Sequence, residues 1–85
     1  MTILKYKIDI INRPFKIWLP EQFKPLSFQP QDENLQMWGL GDLKNNLVQK
    51  LFICIGTGLT IHDLESMNYV GTAQQDGYVW HLFYE

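Results

Sequence analysis

The segment from Leu47 to Ile55 restricts what this chain can fold into more than any other stretch. In an extended backbone successive side chains point to opposite faces, so Leu51, Ile53 and Ile55 fall on one side and Phe52 and Cys54 on the other. A strand apolar on both faces belongs inside a sheet and is covered twice. The rest of the chain must then supply neighbours for its edges and cover for both its faces.

Candidate neighbours are short and extended. Leu4, Tyr6, Ile8 and Ile10 alternate with Lys5, Lys7 and Asp9, the period of a half-buried strand. Asn12-Arg13-Pro14 reads as a turn, and Phe15, Ile17 and Leu19 repeat the alternation up to Pro20. Together these two segments predict an antiparallel hairpin. A third strand is expected over 25–29, with Leu26 and Phe28 inward, and polar turn residues fill 30–34. A fourth runs from Leu35 to Leu40, where Gly39 and Gly41 mark a frayed end or a bulge. After the central segment, Gly56-Thr57-Gly58 ends the strand sharply. Thr60 is then placed to cap one short helix over 61–67, with Asp63 at its third position. A strand over 68–73 and the run YVWHLFY over 78–84 follow, joined across Asp76-Gly77, the strongest hairpin signal in the chain. Seven short strands and one helical turn predict a mainly β (β-rich α+β) single domain over residues 1–85, built as a curled antiparallel sheet, small barrel or sandwich.

Composition narrows the function. A chain of 85 residues has a thin core, yet it carries three Trp, four Tyr and five Phe, so some aromatic surface is expected outside that core. Seven Lys+Arg scattered against a net charge of −2 do not form the concentrated basic face of a phosphate-reading protein, which makes nucleic acid an unfavoured partner. The single cysteine, Cys54, excludes an internal disulfide and fits a reducing compartment. No apolar stretch approaches the ~20 residues of a membrane span, and the N-terminal alternation lacks the apolar core of a signal peptide. The expectation is a cytoplasmic protein with no membrane partner.

The second half carries a distinctive order of motifs: Met37-Trp38-Gly39-Leu40, Ile55-Gly56-Thr57-Gly58, Ile61-His62-Asp63-Leu64, Tyr69-Val70-Gly71-Thr72-Ala73-Gln74 and Val79-Trp80-His81-Leu82-Phe83. This pattern resembles an uncharacterised family of small proteins encoded largely by bacteriophages. The resemblance covers residues 35–85 well, and the first half matches through Lys5-Tyr6 and Leu19-Pro20. It implies a phage-related origin and residence in an infected bacterium. It supplies no activity, cofactor or catalytic residue.

Several residues invite a chemical reading, each against a plainer one. The loop Gly56, Thr57, Gly58 between a strand and an expected helix could offer backbone amides to a phosphate, but it lacks the lysine of a P-loop and reads first as a tight turn. His62 and His81, with Cys54, lack the paired spacing of a metal site, and residues as close as His62 and Asp63 would not face each other on a helix. Cys54 within an apolar strand reads as core rather than nucleophile. Trp38 and Trp80 could stack a flat ligand, with core packing as the default. Trp18 falls with Lys16 on the polar side of its strand, where a large aromatic marks a contact surface. No catalytic residue, metal or cofactor is expected.

Two functions remain open on this reading. One is a non-enzymatic phage-type protein that binds a host or phage protein, such as an inhibitor of host defence. The other is a nucleotide sponge or sensor using the 56–58 loop and aromatic stacking. A homodimer is expected in either case, with the 78–84 strand either central in the monomer or the seam between copies.

Overall fold

A single antiparallel ribbon, bent in its middle, organises the seven strands β1 (Thr2–Ile8), β2 (Phe15–Pro20), β3 (Lys24–Gln31), β4 (Asn34–Gly41), β5 (Leu47–Gly56), β6 (Asn68–Gln75) and β7 (Tyr78–Tyr84). The computed structural model describes residues 1–9 and 12–85. β3 and β4 form a hairpin closed by Asp32 and Glu33, and the same ribbon continues beyond a corner as β2 paired with β5. At the corner the Glu21 N–H donates to the Asn46 carbonyl at 2.8 Å, and the Asn45 side-chain amide donates to the Glu21 carbonyl at 2.8 Å. β1 adds to the first half of the ribbon and β7 with β6 to the second. The result is two antiparallel sheets, ordered β1-β4-β3 and β2-β5-β7-β6. The fold is mainly β, as expected.

The sheets face each other across one core of Ile8, Leu19, Phe28, Leu35, Met37, Phe52, Cys54, Ala73 and Leu82. Aromatic rings thicken it: Phe52 is fully buried and stacks between Phe15 (centroids 6.3 Å) and Tyr84 (5.7 Å). On one side β6 lies against β3, with Gly71 facing the backbone of Phe28. Ile53 and Ile55 are also buried, yet alternation puts them on the opposite face of β5 from Phe52 and Cys54. Ile53 lies toward the 57–67 segment, whose Ile61 and Met67 line a pocket with it and Leu51. The doubly apolar strand is therefore covered twice, as its pattern requires.

Three local expectations are corrected. The first two strands do not pair with each other: β1 pairs with β4 and β2 with β5, in different sheets. The register that decides this, Tyr6 opposite Met37 and Ile8 opposite Leu35, joins residues far apart in sequence. Ile10, the last apolar position of the first alternation, lies outside the described residues. Leu26 is not inward. A bulge between Pro25 and Ser27 shifts the register, leaving Leu26 exposed and Phe28 buried. The helix over 61–67 is absent, and a single 3₁₀ turn, Leu64–Ser66, takes its place. Asp63 has φ 60, a left-handed conformation that the interior of an α-helix does not admit. A seven-residue helix would also gain too little from its few internal hydrogen bonds to offset nucleation. Finally, β7 lies between β5 and β6, so of its two expected positions it takes the central one.

Candidate functional site

The outward face of the four-stranded sheet carries a chain of polar side chains across three strands. His81 on β7 is opposite Thr72 on β6 and Ile55 on β5, so the three side chains share a face. Thr57, just beyond β5, adds to them: its N–H donates to the Val79 carbonyl at 3.1 Å, continuing the ladder. A register shift between Tyr69 and Gly71 brings Tyr69 onto the same face. The imidazole is then held from both sides. Its Nε2 lies 2.7 Å from Thr57 Oγ1 and its Nδ1 lies 3.0 Å from Thr72 Oγ1. The Tyr69 hydroxyl completes the chain by a short hydrogen bond to Thr72 Oγ1. A hydroxyl can donate or accept, so this arrangement accommodates either neutral tautomer or the imidazolium. It fixes the ring in place and sets the Thr57 hydroxyl against the imidazole, while the opposite ring nitrogen meets the Thr72 hydroxyl where a catalytic triad would use a carboxylate to orient the base.

Half of the sequence-derived site residues gather here. Gly56 lies against the Trp80 ring, and Thr57 bonds His81. Gly58 supplies the positive φ, 94°, and opens onto free space. The loop keeps only part of what the phosphate reading expected of it. Its Thr57 amide is engaged by Val79, its Leu59 amide bonds the Gly56 carbonyl at 3.4 Å, and no α-helix starts after it. Trp80 itself is on the inner face, packed against the core, as its default reading held.

The other residues stand apart. His62 is almost fully solvated and pairs with Asp63 (Nε2 to Oδ2 3.5 Å); without a helix, the two neighbours do face each other. Trp38 is not core. It lies half-buried on the outward face of the three-stranded sheet, between Lys5 on β1 and Ser27 on β3. Cys54 is core, and burial pushes its thiol up to about 12. Trp18 is 58% exposed on the outer side of β2, opposite Gln49, and Leu47, 61% exposed, follows on the same face of β5.

Sequence reasoning missed Tyr69, Thr72 and Lys50. The bulge that turns Tyr69 toward Thr72 leaves no mark in the sequence. Lys50 did leave one. It keeps the phase of Val48 and Phe52, and its ammonium lies 6.0 Å from the Tyr84 ring centroid at the mouth of the core.

The chain belongs to the family described as Domain of unknown function (DUF7352), whose model matches residues 1–85. No curated protein and no solved structure matches it.

Proposed function

We propose that this is a non-enzymatic binding protein acting through protein–protein contact, with the outer side of β2 and β5 around Trp18 as its contact face. The observation that carries this reading is the exposure of Trp18 (58%) beside Leu47 (61%) on a rigid, paired stretch of sheet. Exposed aromatic anchors on rigid elements supply a large share of the binding energy in protein interfaces. The resemblance to phage-encoded proteins directs the search to components of an infected bacterium. Within its cytosol, a host-defence protein held inactive by this contact is the favoured target. A nucleotide in the 56–58 loop is the weaker alternative, because the Thr57 amide is engaged by Val79 and the following Leu59 amide by Gly56.

The test compares immobilised wild type with Trp18→Ala and Leu47→Ser on lysate from infected cells, read by mass spectrometry. A partner retained by the wild type and lost from both folded variants supports the reading. Equal retention by all three overturns it. So does a chain that gains thermal stability from a nucleotide while retaining no protein.

A further inference from the structure

The outward face of the three-stranded sheet is open, and it collects charge that lies scattered along the sequence. On β1 it presents Ile3, Lys5 and Lys7, opposite Leu40, Trp38 and Gln36 of β4. On β3 it continues with Lys24 opposite Leu40, Ser27 opposite Trp38 and Gln29 opposite Gln36. Trp38 therefore sits in the middle strand with lysines on either side of the sheet. Three of the seven Lys+Arg of a chain with net charge −2 stand on this one face, all of them exposed. Their existing partners are weak. Lys5 donates to the neutral Gln31 Oε1 at 2.8 Å, and Lys7 has Asp9 at 4.0 Å with both side chains well solvated. Carboxylates stand beyond the ends of the paired register, at Asp9, Glu21, Asp32, Glu33 and Asp42.

We propose that this face binds single-stranded nucleic acid, the lysines meeting phosphates while Trp38 stacks a base. The sign of the charge selects an anionic occupant, and the indole between the lysines selects one with flat π-faces over an acidic peptide. Gln29 and Gln31, both exposed, add amide donors suited to base edges, while Gln36 is buried beneath them. A single strand fits because its bases are free to leave their own stack, whereas a duplex keeps them inside. Seven dispersed cations argue against nucleic acid only while the register is unknown. The Trp18 face belongs to the other sheet, so the two proposals can fail independently.

The probe is a fluorescein-labelled thymidylate dodecamer, followed by anisotropy from low to physiological salt. Wild type should bind at low salt, with log K falling against log salt at a slope of about −2, from roughly 0.7 per lysine–phosphate contact. Trp38→Ala should lose about tenfold in affinity. A triple variant Lys5→Gln, Lys7→Gln, Lys24→Gln should flatten the slope and leave the core untouched, so the test stands even if Trp38→Ala misfolds. Trp18→Ala should bind as wild type does. The proposal is overturned by no anisotropy change at low salt, by an unchanged slope in the triple variant, or by duplex DNA or polyglutamate binding as tightly as the single strand.

Discussion

The ring of Phe23 lies over the bare Cα of Gly39. A Cβ added there would collide with the ring's Cζ and stand 2.5 Å from the carbonyl oxygen of Lys24. Phe23 follows the corner between β2 and β3 and meets Tyr6 edge-on, with centroids 5.5 Å apart, so it is wedged from a second side. A ring tip could swing away, but a backbone carbonyl in a paired strand could not. Gly39→Ala is expected to cost about 1–3 kcal/mol, the range for overpacking a filled site. A urea midpoint equal to wild type would show that the corner is looser than this contact implies.

The β3–β4 hairpin is turned by Asp32 (φ 50) and Glu33 (φ 69), both left-handed. The β6–β7 hairpin uses Asp76 (φ 53) and Gly77 (φ 80) in the same way. Two-residue turns of this hand favour Asn-Gly or Asp-Gly, and a β-carbon in the left-handed region costs about 1–2 kcal/mol. Glycine recovers that strain and loses part of it to backbone entropy. Glu33→Gly should therefore raise stability by about 0.5–1 kcal/mol, a few degrees of Tm in a domain this small. A lower Tm would mean that the Glu33 side chain contributes something the strain argument omits.

These two turns also show what the sequence could and could not announce. Asp76-Gly77 is legible because glycine advertises positive φ; Asp32-Glu33 adopts the same geometry without the signal. The alternation of Leu4, Tyr6 and Ile8 is equally legible, but Met37, the partner of Tyr6, lies 31 residues away, and pairing at that range leaves no local trace. Trp18 could be placed on the polar side of β2 by phase alone. Trp38 could not: Met37 is core and Trp38 is apolar too, so only the sheet's open outer side makes the difference. His81 was visible as a candidate, but Tyr69 reaches its network only through a bulge.

Burial pushes the Cys54 thiol from its ordinary 9.0 up to about 12, and burial also raises the Tyr6 phenol. Below pH 9 both chains, folded and unfolded, keep the Cys54 proton. Above it the unfolded chain releases the proton while the folded one retains it, so stability falls as pH climbs from about 9 toward 12. Urea midpoints should be flat from neutral pH to about 9 and then decline, and less steeply in Cys54→Ala. A disulfide-exchange reagent at pH 8 should leave the native thiol unmodified and label it once urea unfolds the chain. Rapid labelling of the native protein would place Cys54 outside the core.

Thr57 and Thr72 hold His81 from opposite sides, at 2.7 and 3.0 Å. Thr72→Val removes the hydroxyl that both His81 and Tyr69 use, and Thr57→Val removes the tie between the 56–58 loop and β7. Thr57→Val should cost about 1 kcal/mol, the usual net value of one hydrogen bond, and Thr72→Val, which loses two, about 2 kcal/mol. The two effects should not add, because the imidazole is their common partner. Hydrogen exchange should quicken in the 57–67 segment for Thr57→Val and along β6 for Thr72→Val. Strict additivity in the double variant would show that His81 does not couple them.

Edges decide whether a second copy can bind. β7 is enclosed by β5 and β6, so a charge introduced at Tyr84 would disturb the core mouth beside Lys50 rather than a seam. β6 lies against β3, and β1 carries Lys5 and Lys7 along its length. β2 is the remaining edge. It has one proline, Pro20, at its end and Trp18 exposed in its middle. An edge guarded by one lysine, Lys16, and carrying an aromatic anchor favours pairing with its own copy about a two-fold axis, the commonest closed arrangement. Light scattering should then give twice the 10.0 kDa chain mass at high micromolar concentration, and Trp18→Lys should shift the protein toward monomer and abolish the concentration dependence of Tm that the wild type shows. A wild type that stays monomeric would end the homodimer and leave the Trp18 face to a partner of a different sequence.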